Sequence, residues 1–415
     1  MVFKREPQMI CEFVDANGLH AYVVIDCTRY GQSIGGLRIS EDLTLEEVKT
    51  LARAMTLKYS FIKRNMGGAK CGIILPKRCS LEQRTQILEA FGERASPILK
   101  NKIYTPWTDM NSSVKDIANV MKAAGRAFHG MSDSSYFTAL TVASAVRAAC
   151  EIQGINSSTA SVVIEGFGNV GSHVAQELSK WGTKTVSVST IEGAIYDKGG
   201  LDIEKLVDLR RKYGDKLVHY YGADFIEPKE LLLEMEVDAL IPCARTWTIN
   251  TKNMNRIRAK MIVPGANVPL TEEAEEFLHQ KGILPLPDFV CNIGGVFGTG
   301  LYDRGVQASR VHELIMKEFG LLVKELIFRC VKDNCMPSKV AQKIAEDNFK
   351  FLNRSMQKGE RIKRYLDFLL YAGSRTHIIP SRVVGWIYYG KARRILTENI
   401  TYLKGGPRNE SRNTR

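Results

Sequence analysis

The sequence predicts an α/β protein of two domains, a mixed-sheet domain followed by a doubly wound one. Its 415 residues, 44% of them hydrophobic, can supply two separate cores. From about residue 135, short apolar strands alternate with helical stretches, the pattern of a parallel sheet covered on both faces. Between one such strand and the next helix stands Gly166-Phe167-Gly168-Asn169-Val170-Gly171.

Residues 9–15 and 19–27 alternate as strands, and Asn17-Gly18 between them signals a hairpin turn. Residues 43–64 read as an amphipathic helix (Leu45, Val48, Leu51, Met55), with Thr44 placed to cap it and Glu46 and Glu47 in its first turn. A glycine turn follows, Gly67-Gly68-Ala69-Lys70, then a short strand 73–75 closed by Pro76. A helix over 81–97 and a strand over 102–104 lead into a loop, Pro106-Trp107-Thr108-Asp109. Helix 137–153 opens the second domain. Strand 160–165, the glycine turn, helix 170–181 and strand 184–189 follow, with further strands at 239–242, 261–263 and 283–286. The last third reads as helical.

Two patterns carry chemistry. Lys58, on a helix, and Lys70, on a glycine-rich turn, can bring two ammonium groups into one cleft. One then needs an anion, such as a substrate carboxylate. The other, buried beside a cation, loses its proton more easily and becomes a usable base. The second pattern is the glycine turn at 166–171. The first glycine makes the turn, the second admits a pyrophosphate, and the third lets helix and strand pack closely. The strand after it ends Ser187-Val188-Ser189-Thr190, with hydroxyls where a carboxylate would bind the ribose of NAD. This favours NADP over NAD, although Glu192 lies close enough to serve.

In this order the chain resembles the glutamate/leucine/phenylalanine/valine dehydrogenases. The matching pieces are GGLR (35–38), MTLK (55–58), GGAK (67–70), PWTDMN (106–111), SSYFTALTV (134–142), GFGNVG (166–171), GAIYDKGGLD (193–202), PGANVP (264–269) and PDFVCNIGGV (287–296). The resemblance implies a substrate domain over 1–135, a Rossmann-type NAD(P)-binding domain over 136–339, and helices from about 340 to 405 returning to the first. Residues 406–415 form a basic tail, expected to be disordered. It also implies reversible oxidative deamination of an L-amino acid to a 2-oxo acid and ammonia. Lys58 would hold the substrate α-carboxylate, Lys70 would be the catalytic lysine, and Asp109 would shuttle protons to and from nitrogen. Gly35, Gly36 and Met55 would line the substrate. Gly166 to Gly171 (with Phe167, Gly168, Asn169 and Val170), Thr138, Thr190, Ala244, Asn267 and Asn292 would line the cofactor.

Substrate choice turns on two positions. Glutamate-specific members carry a lysine just before GGLR, paired with the side-chain carboxylate. Here that position is Ile34, and burying a carboxylate against it is costly. The other is Thr299, seven residues after Asn292, whose hydroxyl fits glutamate. The missing cation weighs more, so an apolar or non-acidic side chain is favoured, with glutamate dehydrogenase as the alternative. A non-catalytic nucleotide-binding subunit is the alternative of another class; Lys58, Lys70 and Asp109 together speak against it. Two departures stand out: Cys71 replaces the usual glycine after the catalytic lysine, and Arg245-Thr246-Trp247-Thr248 replaces a stretch containing Glu and Asn.

The net charge is +13, and Lys339 to Arg415 hold 17 Lys/Arg against 6 Asp/Glu. These charges are interspersed with apolar helix positions, which reads as a solvated surface and not as a nucleic-acid patch. The nine cysteines contain no C-x-x-C pair, and histidines are scarce and scattered. These features predict reduced thiols, a cytoplasmic setting and no metal site. No apolar run is long enough to span a membrane. Family members form symmetric oligomers, so a homo-oligomer is expected, a hexamer above others.

Overall fold

The computed structural model describes residues 6–76, 79–357 and 380–405. The basic tail lies outside them. Two compact units emerge: Met1–Ser132 with Ala345–Leu352, and Asp133–Ile344 with Asn353–Arg415.

The first unit is built on a five-stranded sheet of order β1-β2-β4-β3-β5. Its strands are β1 (Met9–Val14), β2 (His20–Ile25), β3 (Ser33–Ser40), β4 (Gly67–Ile74) and β5 (Tyr104–Thr108). β1, β2 and β4 pair antiparallel, whereas β4, β3 and β5 pair parallel. The hairpin turn is as expected, with Gly18 at φ +92°. Its helices are α1 (Leu45–Phe61), α2 (Leu81–Arg94), α3 (Ser96–Lys100) and α4 (Val114–Ala123). Thr44 caps α1 by accepting from the Glu47 N–H, and Val48, Leu51 and Ala52 bury one face. The main core gathers Leu37, Ile73, Leu88, Phe91, Leu99 and Tyr104.

GGLR, given no element from the sequence, is the middle of β3. One expectation changes here: Gly67 to Lys70 form no turn but open the central strand β4. Glycine pairs usually punctuate chains. Here they admit neighbours: a Cβ on Gly68 would lie 2.3 Å from the Thr56 nitrogen, and one on Gly67 would lie 2.1 Å from the Cys27 carbonyl oxygen. Likewise the Pro106 loop is edge strand β5, where a proline costs no ladder bond. Cys71 therefore sits inside a strand with its thiol packed in the core, and constrains no turn.

The second unit carries a seven-stranded sheet of order β12-β11-β10-β6-β7-β8-β9. Its parallel part is β6 (Ser161–Glu165), β7 (Lys184–Thr190), β10 (Ala239–Pro242), β11 (Met261–Ile262) and β12 (Leu284–Pro285). β8 (Gly193–Tyr196) and β9 (Asp224–Ile226) extend it antiparallel, so the sheet is mixed and not parallel throughout. The helices are α5 (Ser135–Ile152), α6 (Asn169–Ser179), α7 (Ile203–Tyr213), α8 (Glu272–Gln280), α9 (Asp288–Cys291), α10 (Gly294–Tyr302), α11 (Ala308–Leu314), α12 (Gly320–Asp333), α13 (Pro337–Gln357) and α14 (Ser381–Leu403). α5 is apolar nearly all round and accordingly buried, from Phe137 to Cys150.

Of the C-terminal helices expected to return to the first domain, residues 358–379 lie outside the described residues, and the described ones divide. Residues 345–352 of α13 group with the first unit. There Asn348 donates to the Phe61 carbonyl at 3.1 Å, and the Arg29 guanidinium lies 4.3 Å over the Phe349 ring. α14 groups with the second unit, packed on α12.

Candidate active site

In the first unit, parallel pairing of β3 with β4 and β5 brings three charged side chains together. Lys70 comes from β4, Arg38 from β3, and Asp109 directly follows β5. Asp109 Oδ2 accepts from Lys70 Nζ and from Arg38 Nε, both at 2.8 Å. Arg38 Nη1 reaches across to Glu47 Oε1 on α1 at 2.6 Å. Lys58, in the last turn of that helix, is 5% exposed. Gly36 leaves room for the pair: a Cβ there would lie 2.7 Å from the Asp109 Cβ and 3.2 Å from Lys70 Nζ. Gly35 is pressed still harder, with the Ala69 carbonyl oxygen 1.6 Å from where its Cβ would be. Ile34 and Met55 are half-buried.

Burial sets the electrostatics of this cluster. It disfavours the ammonium of Lys70, and the nearby Arg38 cation adds to this, so the Lys70 pKa is lowered despite the attraction of Asp109. Burial alone would raise Asp109, but Arg38 and Lys70 outweigh it and hold the carboxyl well below the usual carboxylate range. Asp109 does not cap α4, because Ser113 does, in a capping box with Asp116.

In the second unit the glycine turn closes β6 into α6. Gly166 has φ +92°, and its Cβ position faces Ala244 at 2.8 Å. Gly171 packs helix on strand, since a Cβ there would lie 2.1 Å from the Gly166 carbonyl oxygen. Gly168 is different: a Cβ would meet nothing within 4 Å, so no neighbour within the chain demands a glycine. That open backbone at the start of a helix is what a dinucleotide pyrophosphate requires. The turn is tied to the end of β7, where the Phe167 N–H donates to the Ser189 carbonyl at 2.6 Å and the Gly166 N–H to the Ser189 hydroxyl at 3.0 Å. Thr190 donates its hydroxyl to the Asp215 carbonyl at 2.7 Å.

Asn292 donates to the Ala266 carbonyl at 2.7 Å, which places it against the Gly265-Ala266-Asn267 loop. Its Oδ1 and the Thr299 hydroxyl are buried without a hydrogen-bond partner among the described residues. Two orphaned polar atoms on α9–α10 fit a site completed by bound molecules. Thr138 on α5 bonds its own helix at Ser134 and abuts Gly295, whose Cβ would lie 2.9 Å from the threonine hydroxyl.

Sequence reasoning missed three residues here. Arg38 ends a matched motif and Glu47 was read only as a first-turn acid; their pairing is non-local and has no spacing signal. The third is Glu165, at the last position of β6, whose carboxylate accepts from the Ala244 N–H at 3.3 Å and the Thr248 hydroxyl at 3.4 Å. Burial raises its pKa to about 7. The departing stretch 245–248 thus packs beside the glycine turn, and includes Trp247 at φ +56°, whose N–H donates to the carbonyl of Val268, itself at φ +48°. Among the described residues no cluster of metal-ligating side chains occurs, and no helix is long and apolar enough to cross a membrane.

Comparison with known proteins gives matches over both units. The family model "Glutamate/Leucine/Phenylalanine/Valine dehydrogenase" matches residues 130–311, and "Glu/Leu/Phe/Val dehydrogenase, dimerisation domain" matches residues 4–126. A glutamate dehydrogenase of Thermotoga maritima is 34% identical over 283 residues, 64% of this chain and 68% of that protein. An NADP-specific glutamate dehydrogenase of Saccharolobus shibatae is also 34% identical, over 64% of this chain and 66% of its own length. Among solved structures, the hetero-hexameric glutamate dehydrogenase of Thermus thermophilus, in a leucine-bound form, superposes with a TM-score of 0.71 at 22% identity, covering 85% of this chain and 89% of that one.

Proposed function

Since this chain belongs to the glutamate/leucine/phenylalanine/valine dehydrogenase family and is an NAD(P)-dependent amino acid dehydrogenase, we propose that it deaminates an L-amino acid with a non-acidic side chain, reversibly, to the 2-oxo acid and ammonia. The Lys70–Asp109 ion pair at 2.8 Å, buried in the first unit, carries the catalytic reading. Lys58 binds the substrate α-carboxylate. Lys70, its proton loosened by burial, takes a proton from the water that attacks the imine carbon. Its ammonium form then steadies the carbinolamine oxygen. Asp109 carries protons to and from the departing nitrogen. A bound nicotinamide cofactor would supply the acceptor for the hydride that leaves the amino acid α-carbon. Gly166 to Gly171, Thr138, Thr190, Ala244, Asn267 and Asn292 hold that cofactor.

Ile34 supports the non-acidic side chain, because it offers a carboxylate no charge partner. Glutamate remains the second reading, favoured by the partnerless Thr299 hydroxyl and by the relatives that carry that name. The hydroxyl-rich end of β7, with the NADP-specific relative, supports NADP. A hexamer accords with the hexameric fold neighbour, and nine free cysteines accord with the cytoplasm.

Initial rates of reductive amination test this reading, with 2-oxoglutarate, 2-oxoisocaproate, 2-oxoisovalerate and phenylpyruvate, each with NADH and NADPH. Faster turnover of the apolar acids is expected; a preference for 2-oxoglutarate would replace the first reading by the second. Lys70→Ala should retain cofactor binding and lose turnover by on the order of 1,000-fold or more. Turnover near the parent's would sink the mechanism.

A further inference from the structure

We propose that Arg38 is a positioning residue for the Lys70–Asp109 pair: braced by Glu47, it aims the Asp109 carboxylate and keeps a permanent positive charge beside Lys70. The role rests on the catalytic reading of that pair.

The geometry singles out this side chain. Its guanidinium is 4% exposed and spans two carboxylates on different elements, Asp109 Oδ2 at 2.8 Å and Glu47 Oε1 at 2.6 Å. Only arginine offers a planar, always charged fork that can hold both at once. The brace has a fixed root. Glu47 lies in the first turn of α1, where its N–H donates to the Thr44 hydroxyl at 3.2 Å. A continuous line of bonds therefore runs from the α1 cap through Glu47 and Arg38 to Asp109 and Lys70. Asp109 needs such support, because it sits one residue past the end of edge strand β5. There its N–H is held by the Ser112 hydroxyl at 2.9 Å, while Arg38 and Lys70 both hold its carboxylate.

The charge matters as much as the aim. Lys70 is faced by Asp109 after β5, by Arg38 from β3, and by Glu47 from α1. Asp26, just past β2, is engaged by Arg53 at 2.5 Å and Thr56 at 2.6 Å. Both carboxylates of the cluster favour the Lys70 ammonium. Arg38 is the cation in hydrogen-bond reach of Asp109 that opposes them. It does not titrate, so it favours neutral Lys70 at every working pH. Removing it raises the Lys70 pKa. Removing the Glu47 charge lowers it.

Kinetics of oxidative deamination against pH separate this role from plain structural support. The set is parent, Arg38→Gln, Arg38→Lys, Glu47→Gln and Lys70→Ala, each checked for cofactor binding and thermal midpoint. Arg38→Gln should lower kcat by on the order of 100-fold, with the KM for cofactor unchanged, as a misaimed group does. Its acidic limb should move up by about one pH unit. Arg38→Lys should return the limb to the parent position while recovering only part of kcat. Glu47→Gln should move the limb down. A folded Arg38→Gln protein with the parent's limb and kcat, while Lys70→Ala is dead, overturns the role of Arg38 alone. If Arg38→Gln fails to fold, an unmoved limb in Glu47→Gln overturns it instead. An active Lys70→Ala would take down the catalytic reading, and this role with it.

Discussion

Replacing Glu165 by Gln should stabilise the free protein in mild alkali and not in acid. The carboxyl closes β6 beside the glycine turn, and burial raises its pKa from 4.5 to about 7. A folded state that binds its proton more tightly than the unfolded chain loses stability as pH rises through that interval. Stability is thus full below about pH 4.5, falls until about pH 7, and is flat above. At 1.36 kcal/mol per pH unit the loss is about 3 kcal/mol. Glutamine carries no charge and escapes it. It keeps one carbonyl oxygen to accept from the Ala244 N–H or the Thr248 hydroxyl and gives up the other bond, a cost of about 1 kcal/mol. The net gain at pH 8 is about 2 kcal/mol, or roughly 4–8 °C in midpoint for units of this size. At pH 4.5 the variant should be no more stable than the parent. Thermal melts of both proteins at pH 4.5, 6, 7 and 8, without cofactor and at one protein concentration, measure the difference. An equal gain at pH 4.5 and pH 8 would refute the titration argument. A loss at pH 8 would show that the ionised carboxylate is better solvated than its burial implies.

Three other expectations follow from local geometry. Ile34→Lys places an ammonium at a half-buried position of β3 and should shift the ratio of kcat/KM toward 2-oxoglutarate by on the order of 10-fold or more; an unmoved ratio would put the side-chain pocket elsewhere. Gly68→Ala drives a methyl to 2.3 Å from the Thr56 nitrogen and hydroxyl and should cost roughly 1–3 kcal/mol in chemical unfolding; a cost below about 0.5 kcal/mol would mean α1 yields freely. Burial raises the Cys71 and Cys291 thiols far above their ordinary range. A disulfide reagent at pH 8 should therefore leave both unmodified in the native protein while it modifies them in denaturant; rapid native labelling of either would contradict the packing.

The elements with strong periodicity were legible in the sequence. The β6–turn–α6 unit falls within a residue or two of where the pattern puts it, and α1, with its Thr44 cap, within three. Glycine misled in the first unit, because sequence alone cannot separate a glycine that bends the chain from one that lets another strand approach. Gly35, Gly36, Gly67 and Gly68 are of the second kind, so β3 and the start of β4 were hidden. β8 and β9 are four and three residues long, too short for alternation to register. Of the candidate site, Lys70 and Asp109 were nameable from their motifs and do meet. Arg38 and Glu47 belong to the same cluster, but only strand pairing discloses it, since nothing in their spacing forces an arginine on β3 toward an acid on α1.

Helix α13 has a consequence for how the protein is made. Residues 345–352 complete the first unit, giving Arg29 the Phe349 ring and the Phe61 carbonyl the Asn348 amide. On the ribosome, residues 1–132 emerge long before that segment. At roughly 5–20 residues per second, the nascent unit waits on the order of ten seconds or more for its last piece. During that wait it must either hold together with Arg29 and Phe61 uncovered or remain loose. A truncated N-terminal fragment would meet the same gap permanently, whereas appending the 345–352 segment through a flexible linker would close it.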